Sequence, residues 1–202
     1  TLHDFYMARQ DSLMTEELTY GDFRIEGGRT HAEEHPMLPD EVQVVTGVPS
    51  TALGMAVGMG EVYGVAATEI FSVPADAERS YISKDQKEVD KILDSKHRLD
   101  HPDLVRGKNV VATDDSLIKS STIVRINRML REAGAASIHN RIVVPKVIKP
   151  CELGVYMEEP RLAAIALDGD DYRVRENEEI AQLVGADSIE YTSIEGIEKL
   201  YD

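Results

Sequence analysis

Tryptophan is absent from the 202 residues, cysteine occurs once, and aromatic side chains make up only 5%. The single cysteine, Cys151, makes no internal disulfide, and alone it cannot hold a zinc ion or an iron–sulfur cluster. No apolar run approaches the roughly 18–20 residues that a membrane helix needs. The most apolar stretch, residues 42–67, is broken by Gly47, Pro49, Gly54, Gly58, Gly60 and Gly64. Basic residues are scarce: 22 Lys and Arg stand against 37 Asp and Glu, a net charge of −15. That balance opposes a general nucleic-acid surface, which needs clustered cations. An anionic substrate must then be captured by local geometry, not by the field of the whole molecule. Residues 1–11 lack the basic start and apolar centre of a signal peptide. With Thr1 in place of an initiator methionine, the chain reads as a piece of a longer or processed protein.

What is present is enough for a core. Hydrophobic residues are 42% of the chain, which excludes wholesale disorder. The length suits a single domain spanning 1–202, since domains of roughly 100–200 residues are common. Residues 1–40 read as a lead-in, with a short strand at Tyr6-Met7-Ala8-Arg9 and a break at Gly27-Gly28. Val42-Gln43-Val44-Val45 is a β-rich run, followed by a turn at Thr46-Gly47-Val48-Pro49. Ser50 or Thr51 caps a helix through Leu53, Met55 and Met59, and a second strand follows over 62–67. Residues 72–100 are polar, carry a helix over 85–94, and form the candidate mobile loop.

The clearest unit comes next. Residues 109–113 read as a strand, and 114–120 as a loop. Ser121 or Thr122 opens a helix with Ile123, Ile126, Met129 and Leu130 on one face, and Gly134 stands at its end. Another strand covers 138–144. Strand, helix and strand in succession imply a right-handed parallel crossover. Helices over 178–184 and 193–200 close a C-terminal extension over 145–202. The fold class is α/β, a parallel twisted sheet flanked by helices.

Asp114 and Asp115 stand at the carboxyl end of the predicted strand, with Ser116, Ser120, Ser121 and Thr122 leading into a helix. Ligands of open α/β sheets bind in this place. A helix N-terminus offers N–H groups and a positive dipole end to a phosphate, and hydroxyls add donors. The carboxylates would repel that phosphate, but each can accept a hydrogen bond from a sugar hydroxyl. A phosphorylated ribose satisfies both halves; a plain helix cap is the alternative.

The run Val110-Val111-Ala112-Thr113-Asp114-Asp115-Ser116-Leu117-Ile118-Lys119-Ser120-Ser121-Thr122 resembles the phosphoribosyl-pyrophosphate (PRPP) motif of phosphoribosyltransferases. It is most similar to the amidophosphoribosyltransferase form, D-D-S-I-V-R-G-T-T, with a helix ending R-E-A-G-A; here that end is Arg131-Glu132-Ala133-Gly134-Ala135. Tyr6-Met7-Ala8-Arg9-Gln10-Asp11-Ser12 is similar to Y-F-A-R-P-D-S. Thr46-Gly47-Val48-Pro49 with Ala52-Leu53-Gly54 is similar to the pyrophosphate loop and its helix, and Pro150-Cys151-Glu152-Leu153-Gly154 to P-C-F-Y-G. Gly185-Ala186-Asp187-Ser188-Ile189-Glu190-Tyr191 and Ser193-Ile194-Glu195-Gly196 are similar to G-A-D-S-L-x-Y-L-S-x-E-G.

The resemblance implies a type I phosphoribosyltransferase-like fold without the family's glutaminase domain. It implies transfer of phosphoribosyl from PRPP to ammonia, giving phosphoribosylamine for purine biosynthesis and releasing pyrophosphate. Asp114 and Asp115 would hold the ribose hydroxyls and act as metal ligands, with Mg2+ as cofactor. Ser116, Lys119, Ser120, Ser121 and Thr122 would cradle the 5′-phosphate, and Thr46 and Gly47 would contact the pyrophosphate. Arg79 and Lys84 would act from a flexible catalytic loop, Arg79-Ser80-Tyr81-Ile82-Ser83-Lys84-Asp85, similar to N-R-Y-V-G-R-T. Implied partners are a glutaminase domain or subunit as ammonia source, nucleotide effectors, and further copies in a homo-oligomer, with no nucleic acid and no membrane. The implied location is cytoplasmic.

The departures are specific. Val45 and Thr46 stand where the family's P-D-S-G has aspartate and serine, Lys119 and Ser120 replace arginine and glycine, and the catalytic loop loses one arginine and has Lys84 for the other. A PRPP- or nucleotide-binding regulatory module with reduced or no catalysis is therefore the alternative function. Other patterns carry bland readings. His31-Ala32-Glu33-Glu34-His35 matches the zinc-protease pattern H-x-x-E-H but runs directly into Pro36. Lys96-His97-Arg98 is a solvated cation cluster or a pyrophosphate contact, Cys151 a core residue, and Asp168-Gly169-Asp170-Asp171 a solvated turn.

Overall fold

The computed structural model describes residues 3–73, 97–149, 162–168 and 171–201. A single helical turn, His3–Met7, occupies the place of the expected first strand. Helix α1, Tyr20–Glu34, follows. Its start is a capping box: the Thr19 hydroxyl accepts from Asp22 N at 3.1 Å, and the Asp22 carboxylate accepts from Thr19 N at 3.1 Å. The expected break at Gly27-Gly28 lies in the middle of this helix. The two glycines have a packing reason. A Cβ on Gly28 would stand 2.1 Å from the Met55 carbonyl oxygen, and one on Gly58 would stand 1.9 Å from the Ile25 carbonyl oxygen. Two helices thus meet backbone to backbone, which only glycine permits. The contact offsets the roughly 1 kcal/mol that each internal glycine costs relative to alanine.

Strand β1, Val44–Gly47, is fully buried. Helix α2, Leu53–Tyr63, starts at Ala52 without a side-chain cap, so neither Ser50 nor Thr51 caps it. It runs into the expected strand over 62–67 and stops at Gly64, whose φ of 70° suits a residue without Cβ. Val65 N returns to the Gly60 carbonyl, and only Ala67 bridges to Val45. Strands β2, Phe71–Ser72, and β3, Arg98–Leu99, form a small antiparallel pair. Strand β4, Asn109–Asp114, helix α3, Ser121–Glu132, and strand β5, Ser137–Ile142, are the expected crossover unit. Strands β6, Ile165–Asp168, and β7, Asp171–Val174, make a hairpin that no sequence pattern announced. Helix α4, Asn177–Val184, strand β8, Ser188–Tyr191, and helix α5, Ile194–Lys199, complete the described chain.

The main sheet has the order β1-β4-β5-β8, with every pairing parallel. Successive side chains alternate between its faces. Val44, Val110, Ala112, Ile138 and Ile189 meet Ile123, Ile126 and Leu130 of α3 and Ile180 of α4. Val45 and Val111 meet Phe23 of α1 and Met55 and Met59 of α2. The helices therefore cover both faces, as the sequence predicts, and the carboxyl ends of β1 and β4 open side by side. No helix among the described residues is long and apolar enough to cross a membrane.

Candidate active site

Three backbone segments converge where β4 ends. Val48 N donates to the Thr113 carbonyl at 2.9 Å, which draws the β1–α2 loop against the tip of β4. Val143 N and Val144 N, just past β5, donate to the carbonyls of Asp114 and Asp115 at 3.2 and 2.8 Å. The two aspartates are thus fixed by main chain on both sides before their side chains bond at all.

Asp115 is 3% exposed. Its Oδ2 accepts from the Thr51 hydroxyl at 2.5 Å and its Oδ1 from the Ser116 hydroxyl at 2.7 Å. Asp114 Oδ1 accepts from Asp115 N at 2.9 Å. Burial pushes the Asp114 carboxyl well above the usual carboxylate range, and the adjacent Asp115 charge pushes the same way. Burial raises Asp115 too, against the pull of the Thr51 and Ser116 hydroxyls and of the Arg24 charge. Two desolvated carboxylates side by side leave this spot short of positive charge, so a cationic or hydroxyl-rich ligand is favoured there.

The loop after Asp115 is held from below. Leu117 is buried in the core beside α3, and the Ile118 carbonyl accepts from Ala163 N at 2.9 Å. Lys119 is exposed. Ser120 is the N-cap of α3 but makes no side-chain cap bond, and the first turn carries no acidic residue. The N–H groups at this helix start therefore have no capping oxygen from Ser120, which suits an anion. Ser121 is exposed and Thr122 half-buried.

Across the cleft lies the loop over 46–51. Thr46 is inside β1, 1% exposed, and its hydroxyl has no partner. Gly47 faces the Ala52 carbonyl so closely that a Cβ would stand 2.4 Å away. The Pro49–Ser50 peptide bond is cis. Of the residues singled out in the sequence, Thr46, Gly47, Asp114, Asp115, Ser116, Lys119, Ser120, Ser121 and Thr122 all lie on the two loops and strand ends that flank this cleft. Arg79 and Lys84 lie outside the described residues, as do Lys96 and Cys151. Two residues that sequence reasoning missed are Thr51, read only as a helix cap, and Arg24, a buried cation in a polar lead-in that offered no signal.

The zinc-like pattern has a structural use. His31 Nδ1 lies 3.0 Å from the Thr192 hydroxyl, and His35 Nε2 lies 2.9 Å from the Tyr191 carbonyl. The Glu34 carboxylate accepts from Ser193 N and the Ser193 hydroxyl at 2.8 and 2.6 Å. The motif latches the end of α1 to the segment after β8. Among the described residues, no group of three or more His, Cys, Asp or Glu could hold a metal ion.

No protein-family model matches the chain. Curated relatives do. An amidophosphoribosyltransferase of Mycobacterium leprae is 32% identical over 195 residues, 95% of this chain and 33% of the relative. One of Methanocaldococcus jannaschii is 33% identical over 195 residues, 96% of this chain and 39% of the relative. The chain therefore spans well under half the length of these relatives. Among solved structures, the glutamine PRPP amidotransferase of B. subtilis complexed with ADP and GMP superposes with a TM-score of 0.81, at 30% identity, covering 98% of this chain and 41% of that one. The parallel sheet with the acidic pair at the tip of β4 defines a type I phosphoribosyltransferase fold. Within that class the chain belongs with the amidophosphoribosyltransferases, of which it corresponds to the phosphoribosyltransferase domain.

Proposed function

We propose that this chain transfers the phosphoribosyl group of PRPP to ammonia, forming phosphoribosylamine for purine biosynthesis and releasing pyrophosphate. The observation that carries the reading is the meeting of Asp114 and Asp115 with the uncapped start of α3 on one side and the 46–51 loop on the other. In this reading, residues 1–202 work as one phosphoribosyltransferase-like domain. The 5′-phosphate rests on Ser116, Lys119, Ser120, Ser121, Thr122 and the first N–H groups of α3. The carboxylates accept hydrogen bonds from the ribose hydroxyls. Thr46 and Gly47 line the leaving-group side, and Arg79 and Lys84 act on the pyrophosphate.

The bond from the anomeric carbon to the pyrophosphate oxygen breaks as the ammonia lone pair forms the new carbon–nitrogen bond. The bond-breaking pair stays on pyrophosphate, and a proton leaves the nitrogen. Positive charge develops on the ribose, and Asp114 and Asp115 are placed to stabilise it in a site with little water. Their oxygen donors also fit Mg2+, which is commonly bound by one or two carboxylates together with substrate phosphates and waters instead of an all-protein cage. Magnesium on the pyrophosphate, with Asp114 and Asp115 as protein ligands, would neutralise the leaving group.

We propose further that ammonia comes from a glutaminase domain or subunit, that the protein acts as a cytoplasmic homo-oligomer, and that purine nucleotides regulate it. The ADP and GMP in the B. subtilis structure support this last point. No observation favours the regulatory module over the enzyme. The test is calorimetric titration of PRPP with magnesium. The wild-type chain should bind, and Asp114→Asn with Asp115→Asn should lose binding while keeping its circular dichroism. Unchanged affinity in that variant would sink the site.

A further inference from the structure

We propose that Arg24 is a positioning residue of the phosphoribosyl site, acting through Asp115. The inference rests on the function proposed above and adds to it a residue outside both loops. Arg24 projects from α1 toward the sheet and is 1% exposed. Its Nη2 donates to the Ala8 carbonyl at 2.7 Å and to the Asp4 carbonyl at 3.2 Å, while its Nε has no partner.

A guanidinium is charged at every accessible pH, and burying a charge is costly unless an opposite charge answers it. Two carbonyls supply only partial charge. The anion whose charge acts on Arg24 is Asp115, itself 3% exposed. Asp115 is therefore held from three directions: by the Thr51 hydroxyl on the β1–α2 loop, by the Ser116 hydroxyl on its own loop, and by the Arg24 charge behind it.

This arrangement has a consequence for binding. The carboxylate beside the ribose and the loop beside the leaving group share one anchor, and Arg24 also ties residues 4–8 to that anchor. Without the cation, the buried Asp115 charge is left to two neutral hydroxyls, beside a second carboxylate. The side chain then gains by turning toward water or recruiting a counter-ion, and the loop attached through Thr51 shifts with it. PRPP must then reorganise the site before it binds, which weakens affinity without any lost contact to Arg24 itself.

The test measures the dissociation constant of PRPP with magnesium by calorimetry for the wild type, Arg24→Met and Arg24→Lys, with circular dichroism and thermal melting as fold checks. Arg24→Met keeps most of the volume and removes the charge; it should bind about tenfold more weakly or worse. Arg24→Lys restores a point charge without the fork and should return to within about threefold of the wild type. A purely structural role would not be rescued by charge alone. Wild-type affinity in Arg24→Met overturns the proposal, as does equal weakness in both variants. If Arg24→Met does not fold, Thr51→Val and Thr51→Ser decide the shared-anchor claim. Valine should weaken binding and serine keep it, and equal affinities overturn the claim. Absence of PRPP binding in the wild type would remove the proposed function itself, whereas wild-type binding with indifferent variants removes only the role of Arg24.

Discussion

Gly28 of α1 and Met55 of α2 touch through main chain: a Cβ on Gly28 would stand 2.1 Å from the Met55 carbonyl oxygen. Gly54, one residue before Met55, has ordinary room, since a Cβ there would meet nothing nearer than 3.6 Å. Two substitutions of the same kind should then diverge. Gly28→Ala forces the helices apart and should cost about 1–3 kcal/mol or more. Gly54→Ala should be neutral or stabilise by up to about 1 kcal/mol, because alanine is the better helix former. Urea denaturation of the two variants checks this, and equal midpoints would contradict the close contact.

Ser121 is exposed in the first turn of α3. Ser121→Asp places a negative charge where the helix dipole welcomes it, worth about 0.3–1 kcal/mol of stability. The same charge should repel the 5′-phosphate. The expected result is an unchanged or higher melting temperature together with weaker PRPP binding. Retained affinity would put the phosphate elsewhere.

His31 provides a pH test. Burial holds its pKa well below the ordinary 6.5, and the neighbouring His35 and Arg141 charges act in the same sense. The folded chain then keeps His31 neutral while the unfolded chain takes up a proton below about pH 6.5. This contribution to stability is intact above that pH and is lost as the pH falls toward the lowered folded value. The loss approaches about 1.4 kcal/mol per pH unit for one proton. Denaturation curves between pH 7 and pH 5 should show a smaller acid loss in His31→Gln than in the wild type. Parallel losses would show that His31 is not the group involved.

The crossover from β4 through α3 to β5 was readable because each part obeyed a local rule. Buried β-branched residues fill β4, apolar residues recur at helical spacing in α3, and Gly134 follows its end with a φ of 89°. Helix α1 was unreadable for an equally physical reason. Its buried residues are Phe23, Arg24, Gly27, Gly28, His31 and Ala32, so the face that packs carries glycines and two polar side chains in place of an apolar stripe. The β6–β7 hairpin gave no period-two signal because the side chains of β7 are all exposed. At the site, the adjacent aspartates announced themselves as a motif. Thr51 and Arg24 did not, because their partners are 64 residues away in Asp115 for the first and buried carbonyls for the second.

The central claim is that the cleft at the end of β4 transfers phosphoribosyl to ammonia. The most direct measurement follows PRPP and magnesium with the protein by phosphorus-31 NMR, before and after ammonium is added at alkaline pH. The account predicts that pyrophosphate signals grow only when both protein and ammonium are present, and that Asp114→Asn with Asp115→Asn abolishes them. PRPP that stays intact in the presence of ammonium, with wild-type protein bound to it, would contradict the transferase.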